Sequence, residues 1–403
     1  MPKTLARGRQ HLAIPGPSIM PDRVLRAMHA AAPNIYEGEL IELAVTIYKD
    51  LNKVAYNSGE AVIYIGNGHA AWEASLVNTL SRGDKIVALV TGRFGHGWVT
   101  AAQGLGVDVQ VLDFGLDSAV TPDTLKSVLE ADKQKQIKAV ITVQTDTATS
   151  VTNDIPAIRQ AMTEVEHSAL LMVDCIASFA CEPFKMDEWG VDVMLTASQK
   201  GLMTPPGLCI VYIRDTVWTH HAAANLNTPY WNWLPRVKAD YFAARFCGTP
   251  PTHHLFGLRE ALNMLLDEGI ENVWHRHQVQ AGAVWAAVEA WSASGAISLN
   301  VPVPAHRSLA VTSIKTTEGL APQLRQWCEK EAGVTLGVGF SLEKLLQPTV
   351  SAFRIGHMGH LSPYMLLGTL ACVEAGLAAC GVKNVSGGVD AASKVLLEHA
   401  EHH

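Results

Sequence analysis

Three short segments carry residues whose type and place could do chemistry. In AVIYIGNGHAAWEASLVNTL (61–80) an apolar run meets the turn Gly66-Asn67-Gly68, and a helix is expected to open at His69 or Ala70. The N-terminus of such a helix offers unpaired N–H groups and the positive end of a dipole, so a phosphate can sit there. In ALLMVD (169–174) Asp174 closes a buried strand, at the edge where ligands of parallel sheets collect. In VDVMLTASQKGLMTPPGL (191–208) another apolar run leads into Ser198-Gln199-Lys200-Gly201. Burial there would lower the lysine pKa and make it a usable amine nucleophile. Taken singly, each has an ordinary explanation: a tight turn, a helix cap, a surface lysine.

The elements that must position these residues are legible from about residue 60. AVIYI (61–65), KIVALV (85–90), VDVQVLDF (107–114), IKAVITVQ (137–144), ALLMVD (169–174), VDVMLTAS (191–198) and LCIVYI (208–213) read as strands. Most are separated by ten or more residues of helical periodicity, the pattern of a mostly parallel, seven-stranded α/β sheet. After residue 255 the texture changes. HLFGLREALNMLLDEG (254–269) and 271–295 read as a long helical connection. A smaller α+β unit follows, with strands near 308–315 and 351–358 and helices near 320–332 and 362–380. The expected division is an N-terminal segment (1–20) reaching the active site, a large domain (21–265) and a small C-terminal domain (266–403).

Composition sets the outer limits. A chain of 403 residues, 48% hydrophobic and 17% charged, can bury a sizeable core and is not a disordered polymer. Its formal charge is −7, without a basic run, so neither nucleic acid nor an anionic membrane is an expected partner. The seven cysteines form no C-x-x-C pair and mostly sit in apolar segments, which favours a reducing cytoplasm. Pro15-Gly16-Pro17 stands where an export signal would need an apolar core, so an unexported protein is expected. The close histidines His220-His221, His253-His254 and His275 with His277 lack carboxylate or thiol partners at ligand spacing, and no metal is expected. The strand KIVALV ends in Thr91-Gly92 with no acid to hold a ribose, which argues against a nicotinamide oxidoreductase.

An anion cradle, an acid able to pair with a pyridinium nitrogen and an amine able to form a Schiff base are the parts a pyridoxal phosphate site requires. Their order and spacing resemble the class V aminotransferases of PLP-dependent transferase fold type I, within which the serine-glyoxylate and alanine-glyoxylate enzymes are most similar. The resemblance runs from HLAIPGPSIMPDRVLRAM (11–28) through GNGHAAWEASLVNTLSRGDKI (66–86), DTATSVTNDI (146–155), VDCIAS (173–178), MDEWGVDVMLTASQKG (186–201) and PPGL (205–208) to FRIGHMG (353–359).

That resemblance implies roles. Lys200 becomes the Schiff-base lysine and proton carrier, and Asp174 the partner of the ring nitrogen. Phe94 becomes the aromatic against the ring, Ile176 the apolar residue beneath it, and Thr147 the hydroxyl on the ring oxygen. Gly68, His69 and Gln199 become phosphate contacts. Thr249 in FCGTPP would reach the phosphate of a neighbouring subunit, implying a homodimer with shared sites. Arg354 would clamp the substrate α-carboxylate with two parallel hydrogen bonds, and Gly16 would border the substrate.

Two stretches depart from the family pattern. Gln144-Thr145-Asp146-Thr147-Ala148-Thr149-Ser150 stands for H-N-E-T-A-T-G, and Tyr36, in Ile35-Tyr36-Glu37-Gly38, replaces an arginine near the substrate. Losing that positive charge predicts glyoxylate as preferred acceptor, pyruvate as a weaker one, and serine, alanine or a close analogue as donor. A donor such as aspartate, ureidoglycine or a pyridoxamine-like amine is the alternative. A cysteine desulfurase would carry His before the lysine, where this chain has Gln199, and its Cys328 lies in a helical pattern. A non-catalytic PLP-binding homologue would be expected to have lost Lys200, Asp174 or Arg354.

Overall fold

The computed structural model describes residues 4–339 and 351–400; the terminal His402 and His403 lie outside them. The described residues form two sheets. β1 (His11–Ala13) belongs to the smaller. The larger comprises β2 (Glu60–Gly66), β3 (Lys85–Val90), β4 (Asp108–Asp113), β5 (Ile137–Val143), β6 (Leu170–Asp174), β7 (Val193–Ala197) and β8 (Gly207–Ile213), in the order β2-β8-β7-β6-β5-β3-β4. β8 runs antiparallel to both its neighbours and the remaining pairs are parallel, so six strands end at one edge. This is the mostly parallel seven-stranded α/β fold anticipated from the apolar runs.

Helices cover both faces of this sheet, which is why its central strands read as unbroken apolar runs. Along β8, Leu208, Ile210 and Tyr212 enter one core while Cys209, Val211 and Ile213 enter the other. β6 divides in the same way, with Leu171 and Val173 on one side and Leu170 and Met172 on the opposite side.

The smaller sheet contains β9 (Ile297–Leu299), β10 (Val311–Thr316), β11 (Val334–Val338) and β12 (Ser351–Gly356), ordered β1-β11-β12-β10-β9. It packs through Ile314, Phe353 and Ile355 on apolar residues of the helices Ile270–Ser292 and Pro363–Ala379. Here the sequence expectation was incomplete. β1 and β9 have three residues each, too few for a period-2 pattern to register, and β11, five residues long with no sustained alternation of buried and exposed positions, follows the π-helical turn after a single residue. The stretch expected as one helix near 320–332 is α-helical at Leu320–Trp327 and closes in a π-helical turn at Cys328–Ala332.

A seam of buried polar groups joins the two sheets. Asn300 Nδ2 donates to the carbonyls of Leu116 at 2.7 Å and Thr149 at 2.9 Å. Ser313 Oγ donates to Ala148 O at 2.8 Å. The buried carboxylate of Glu182 accepts from Ser308 Oγ at 2.7 Å and Leu309 N at 3.0 Å on one oxygen, and from Thr145 Oγ1 at 2.9 Å on the other. Buried polar groups paired in this way specify one docking geometry, because any other leaves them unsatisfied.

Candidate active site

The shared edge of the six strands brings distant segments together. Asp174 ends β6, Gln199 and Lys200 follow β7, Thr147 follows β5, Phe94 follows β3, and Gly68 and His69 follow β2. All seven, with Gly16 and Ile176, line one cavity of about 250 Å³. The helix after β2 starts at Gly68, one residue before the expected opening, because the Asn67 side chain accepts the His69 N–H at 3.1 Å and caps it. Gly68 and His69 line the cavity at the start of this helix, so the positive end of its dipole offers a cradle for an anion.

Lys200 donates to the Pro15 carbonyl, so the N-terminal segment lies directly over its amine. Ser18 fastens the segment there: its N–H donates to Gln199 O at 2.9 Å and its hydroxyl to Lys200 O at 2.7 Å. Gly16 has φ +110°, and a Cβ on it would lie 2.6 Å from Lys200 Cε, so only glycine lets the chain cross this closely. Burial lowers the Lys200 ammonium to about 8, with nearby Arg354 pushing the same way and Asp174 opposing. The amine is therefore substantially neutral near pH 8, the state a nucleophile or proton acceptor requires.

Asp174 is 2% exposed. Burial raises its carboxyl to about 7, and the neighbouring Asp146 adds to the effect, while hydrogen bonds from the Ile176 N–H and the Trp72 indole oppose it. An acid in this condition gains most from a cationic partner in the same cavity. Asp146 itself is fully buried. Its Oδ2 accepts the Phe94 N–H at 2.7 Å and its Oδ1 the Ala148 N–H at 2.9 Å, tying the Phe94 wall to the Thr147 wall. Gly92 makes this possible, since a Cβ there would stand 2.5 Å from Asp146 Cγ.

Arg354 lies behind Thr147 rather than among the lining residues. It is buried, its Nε donates to Val338 O at 2.7 Å, and its Nη1 donates to Thr147 O at 2.7 Å. Burial brings its pKa down to about 10, still a cation at neutral pH. Gln199 Oε1 is buried without a hydrogen-bond partner, an acceptor that a bound group carrying a donor, or water, would satisfy. His69 is held below the usual histidine range by burial and by Arg93.

Besides Arg354, two further expected site residues do not line this cavity. Tyr36 is 85% exposed and borders a separate surface hollow with Tyr48, Tyr241 and Arg245. Thr249 is exposed in the loop before the helix Thr252–Glu268. Conversely, sequence reasoning passed over Trp72, Asp146 and Glu182. Trp72 sits on a helix buried on nearly every side, so no one-sided apolar pattern marks it. Asp146 had one signal, the altered Q-T-D-T-A-T-S run. Among the described residues no group of three or more His, Cys, Asp or Glu is arranged to hold a metal ion, and no helix is long and apolar enough to cross a membrane.

Comparison with known proteins agrees with this geometry. The family model for aminotransferase class V matches residues 50–366. The chain is 38% identical to a serine-glyoxylate aminotransferase of Methylorubrum extorquens, covering 99% of each chain. It is 33% identical to an L-aspartate-glyoxylate aminotransferase of Paracoccus denitrificans, covering 94% of each. The crystal structure of pyridoxamine-pyruvate aminotransferase from Mesorhizobium loti matches with a TM-score of 0.88 at 25% identity, over 99% of this chain and 100% of that one. With the family model spanning most of the chain and full-length relatives above 30% identity, the chain belongs to the class V aminotransferases.

Proposed function

We propose that this cavity holds pyridoxal 5′-phosphate and that the chain transfers an amino group from a small neutral amino acid, serine or alanine, to glyoxylate, with pyruvate the weaker acceptor. One observation carries the reading: a buried amine with a lowered pKa and a buried carboxylate share a cavity that opens onto a capped helix N-terminus. The names of the full-length relatives supply the glyoxylate and the serine.

When bound, pyridoxal phosphate supplies an aldehyde carbon for the substrate's amino group and a ring that accepts the electron pair of the Cα–H bond. The helix start at Gly68 and His69, together with the side-chain NH2 of Gln199, would hold its phosphate. Asp174 keeps the proton on its ring nitrogen. Phe94 and Ile176 hold the ring plane, and the Thr147 hydroxyl bonds the ring oxygen. Arg354 takes the substrate α-carboxylate, with its guanidinium plane set by Val338 O and Thr147 O. Lys200 Nζ removes the proton from the substrate Cα and returns it on the other side of the transfer, which needs the neutral amine that burial provides. Pro15 and Gly16 lie directly against that amine, and Ser18 fastens them there. Tyr36 and Thr249 act on the cavity of a neighbouring copy, so the working unit is a homodimer.

The donor assignment rests on charge. Among the described residues lining the cavity Lys200 is the sole ammonium or guanidinium, and Arg354, set behind Thr147, is taken up by the α-carboxylate, so a second carboxylate on the substrate meets no further cation of the lining. A half-reaction screen, mixing the PLP-loaded protein with single amino acids and following loss of the cofactor's long-wavelength absorbance, tests it. Serine and alanine should exceed aspartate and glutamate in kcat/KM by roughly ten- to a hundredfold, the value of one charged hydrogen bond. Aspartate ahead of serine would overturn the donor assignment; no absorbance change with any amino acid would overturn transamination.

A further inference from the structure

Asp174 has two hydrogen-bond donors of its own chain. Its Oδ1 accepts the Ile176 amide N–H at 2.7 Å, and its Oδ2 accepts the Trp72 indole N–H at 2.7 Å. The first is backbone and survives any substitution at position 176 except proline. The second depends on one side chain.

An indole N–H donates and cannot accept, so it favours a carboxylate over a protonated carboxyl. It also does not titrate, and its hold on Asp174 is therefore constant across the working pH range. The ring has little room to move. Trp72 is 1% exposed, lies 14° from parallel to Trp98 at 6.4 Å, and meets the His69 ring at 4.4 Å. A Cβ on Gly97 would approach its edge to 2.9 Å. The same helix supplies the anion cradle at Gly68 and His69 and, three residues after His69, the donor to Asp174. One rigid element thus sets the cradle and the acid relative to each other. The buried Asp146 makes the donor more necessary, because a second carboxylate nearby repels the charge on Asp174.

We propose that Trp72 is a positioning residue: its indole N–H holds the Asp174 carboxylate as an anion turned into the cavity, and losing that one donor weakens the chain's grip on a protonated ring nitrogen. The inference rests on the reading that the cavity takes pyridoxal phosphate.

The experiment compares apoprotein affinity for pyridoxal phosphate with that for its 1-deaza analogue, whose ring nitrogen is replaced by C–H. Trp72→Phe should weaken pyridoxal phosphate roughly ten- to a hundredfold, as loss of one charged hydrogen bond. It should leave the analogue within about twofold. In an Asp174→Asn background, Trp72→Phe should cause no further loss. Equal weakening of both ligands, or full additivity with Asp174→Asn, would reduce Trp72 to packing and overturn the inference. If Trp72→Phe does not fold, the benzothienyl isostere of tryptophan at position 72, which exchanges N–H for sulfur at nearly constant shape, makes the same comparison. Should the unsubstituted chain fail to bind pyridoxal phosphate, the cofactor reading falls and this inference with it. Should it bind and Trp72→Phe bind equally well, the inference alone falls.

Discussion

Asp174 and Trp72, which line the cavity, and Asp146 behind them are buried and hydrogen-bonded within one chain, whereas Tyr36 and Thr249 stand exposed and are not among its lining residues. The contrast follows from what each region is built on. Asp174 ends the central strand β6 and Asp146 follows β5, while Trp72 sits on the buried helix Gly68–Thr79, so packed neighbours fix each of these side chains. The outer two lie on segments that no sheet organises. Proton transfer needs groups held to a fraction of an ångström, so it belongs where packing is complete. Recognition of the far end of a substrate tolerates more latitude, and can be supplied by a surface that another copy brings.

The comparison can be broken at its inner end. Lys200→Ala should lower the half-reaction rate by at least about 10⁴-fold, since nucleophile and general base are lost together. Phosphate-end binding of pyridoxal phosphate should persist, measurable by equilibrium dialysis. A variant that retains more than a hundredth of the activity would move the chemistry to another residue.

The outer end is tested by sharing. Thr249→Ala should weaken cofactor binding roughly ten- to a hundredfold if it serves a phosphate across an interface. Mixed with Lys200→Ala chains, it should then form hybrid dimers with one site in which both residues are intact, restoring roughly a quarter of the full activity after free exchange. No recovery despite demonstrated exchange would place Thr249 outside any shared site.

The smallest effect concerns the clasp behind the inner end. His277 Nε2 accepts the Gly359 N–H at 2.9 Å and its Nδ1–H donates to Val273 O at 2.7 Å, while His357 pairs with the Thr312 hydroxyl and donates to Leu309 O. Burial pushes His277 down to about 3 and His357 to about 4, from 6.5 in an unfolded chain. Below pH 6.5 the unfolded chain takes up protons that the native one refuses, so stability is full above that pH and falls as pH drops towards 3 or 4. One unit below 6.5, each histidine costs about 1.4 kcal/mol, a few degrees of Tm for the pair in a chain of this size. Thermal unfolding between pH 7.5 and 5.5 should show this, and His277→Gln should flatten the slope.

Much of the large sheet was legible because its central strands are covered on both faces and thus read as continuous apolar runs between helical patterns. The placement of Lys200 and Asp174 at one edge was legible for the same reason, since each directly follows such a run and parallel strands end together. The smaller sheet was half legible: β10 and β12 have six residues each, while β1 is three residues that become a strand only because Val334–Leu336 offers an edge to pair with.

What the amino-acid order determined, then, was local: which segments become strands, which helix opens after glycine, and which reactive side chain closes a run. Tertiary structure alone decided which donors meet those side chains. Trp72 and Asp174 are 102 positions apart, Phe94 and Asp146 are 52, and Ser308 and Glu182 are 126. A hydrogen bond acts over about 3 Å and carries no periodic trace along a chain, so such partners become visible only when folding sets them side by side.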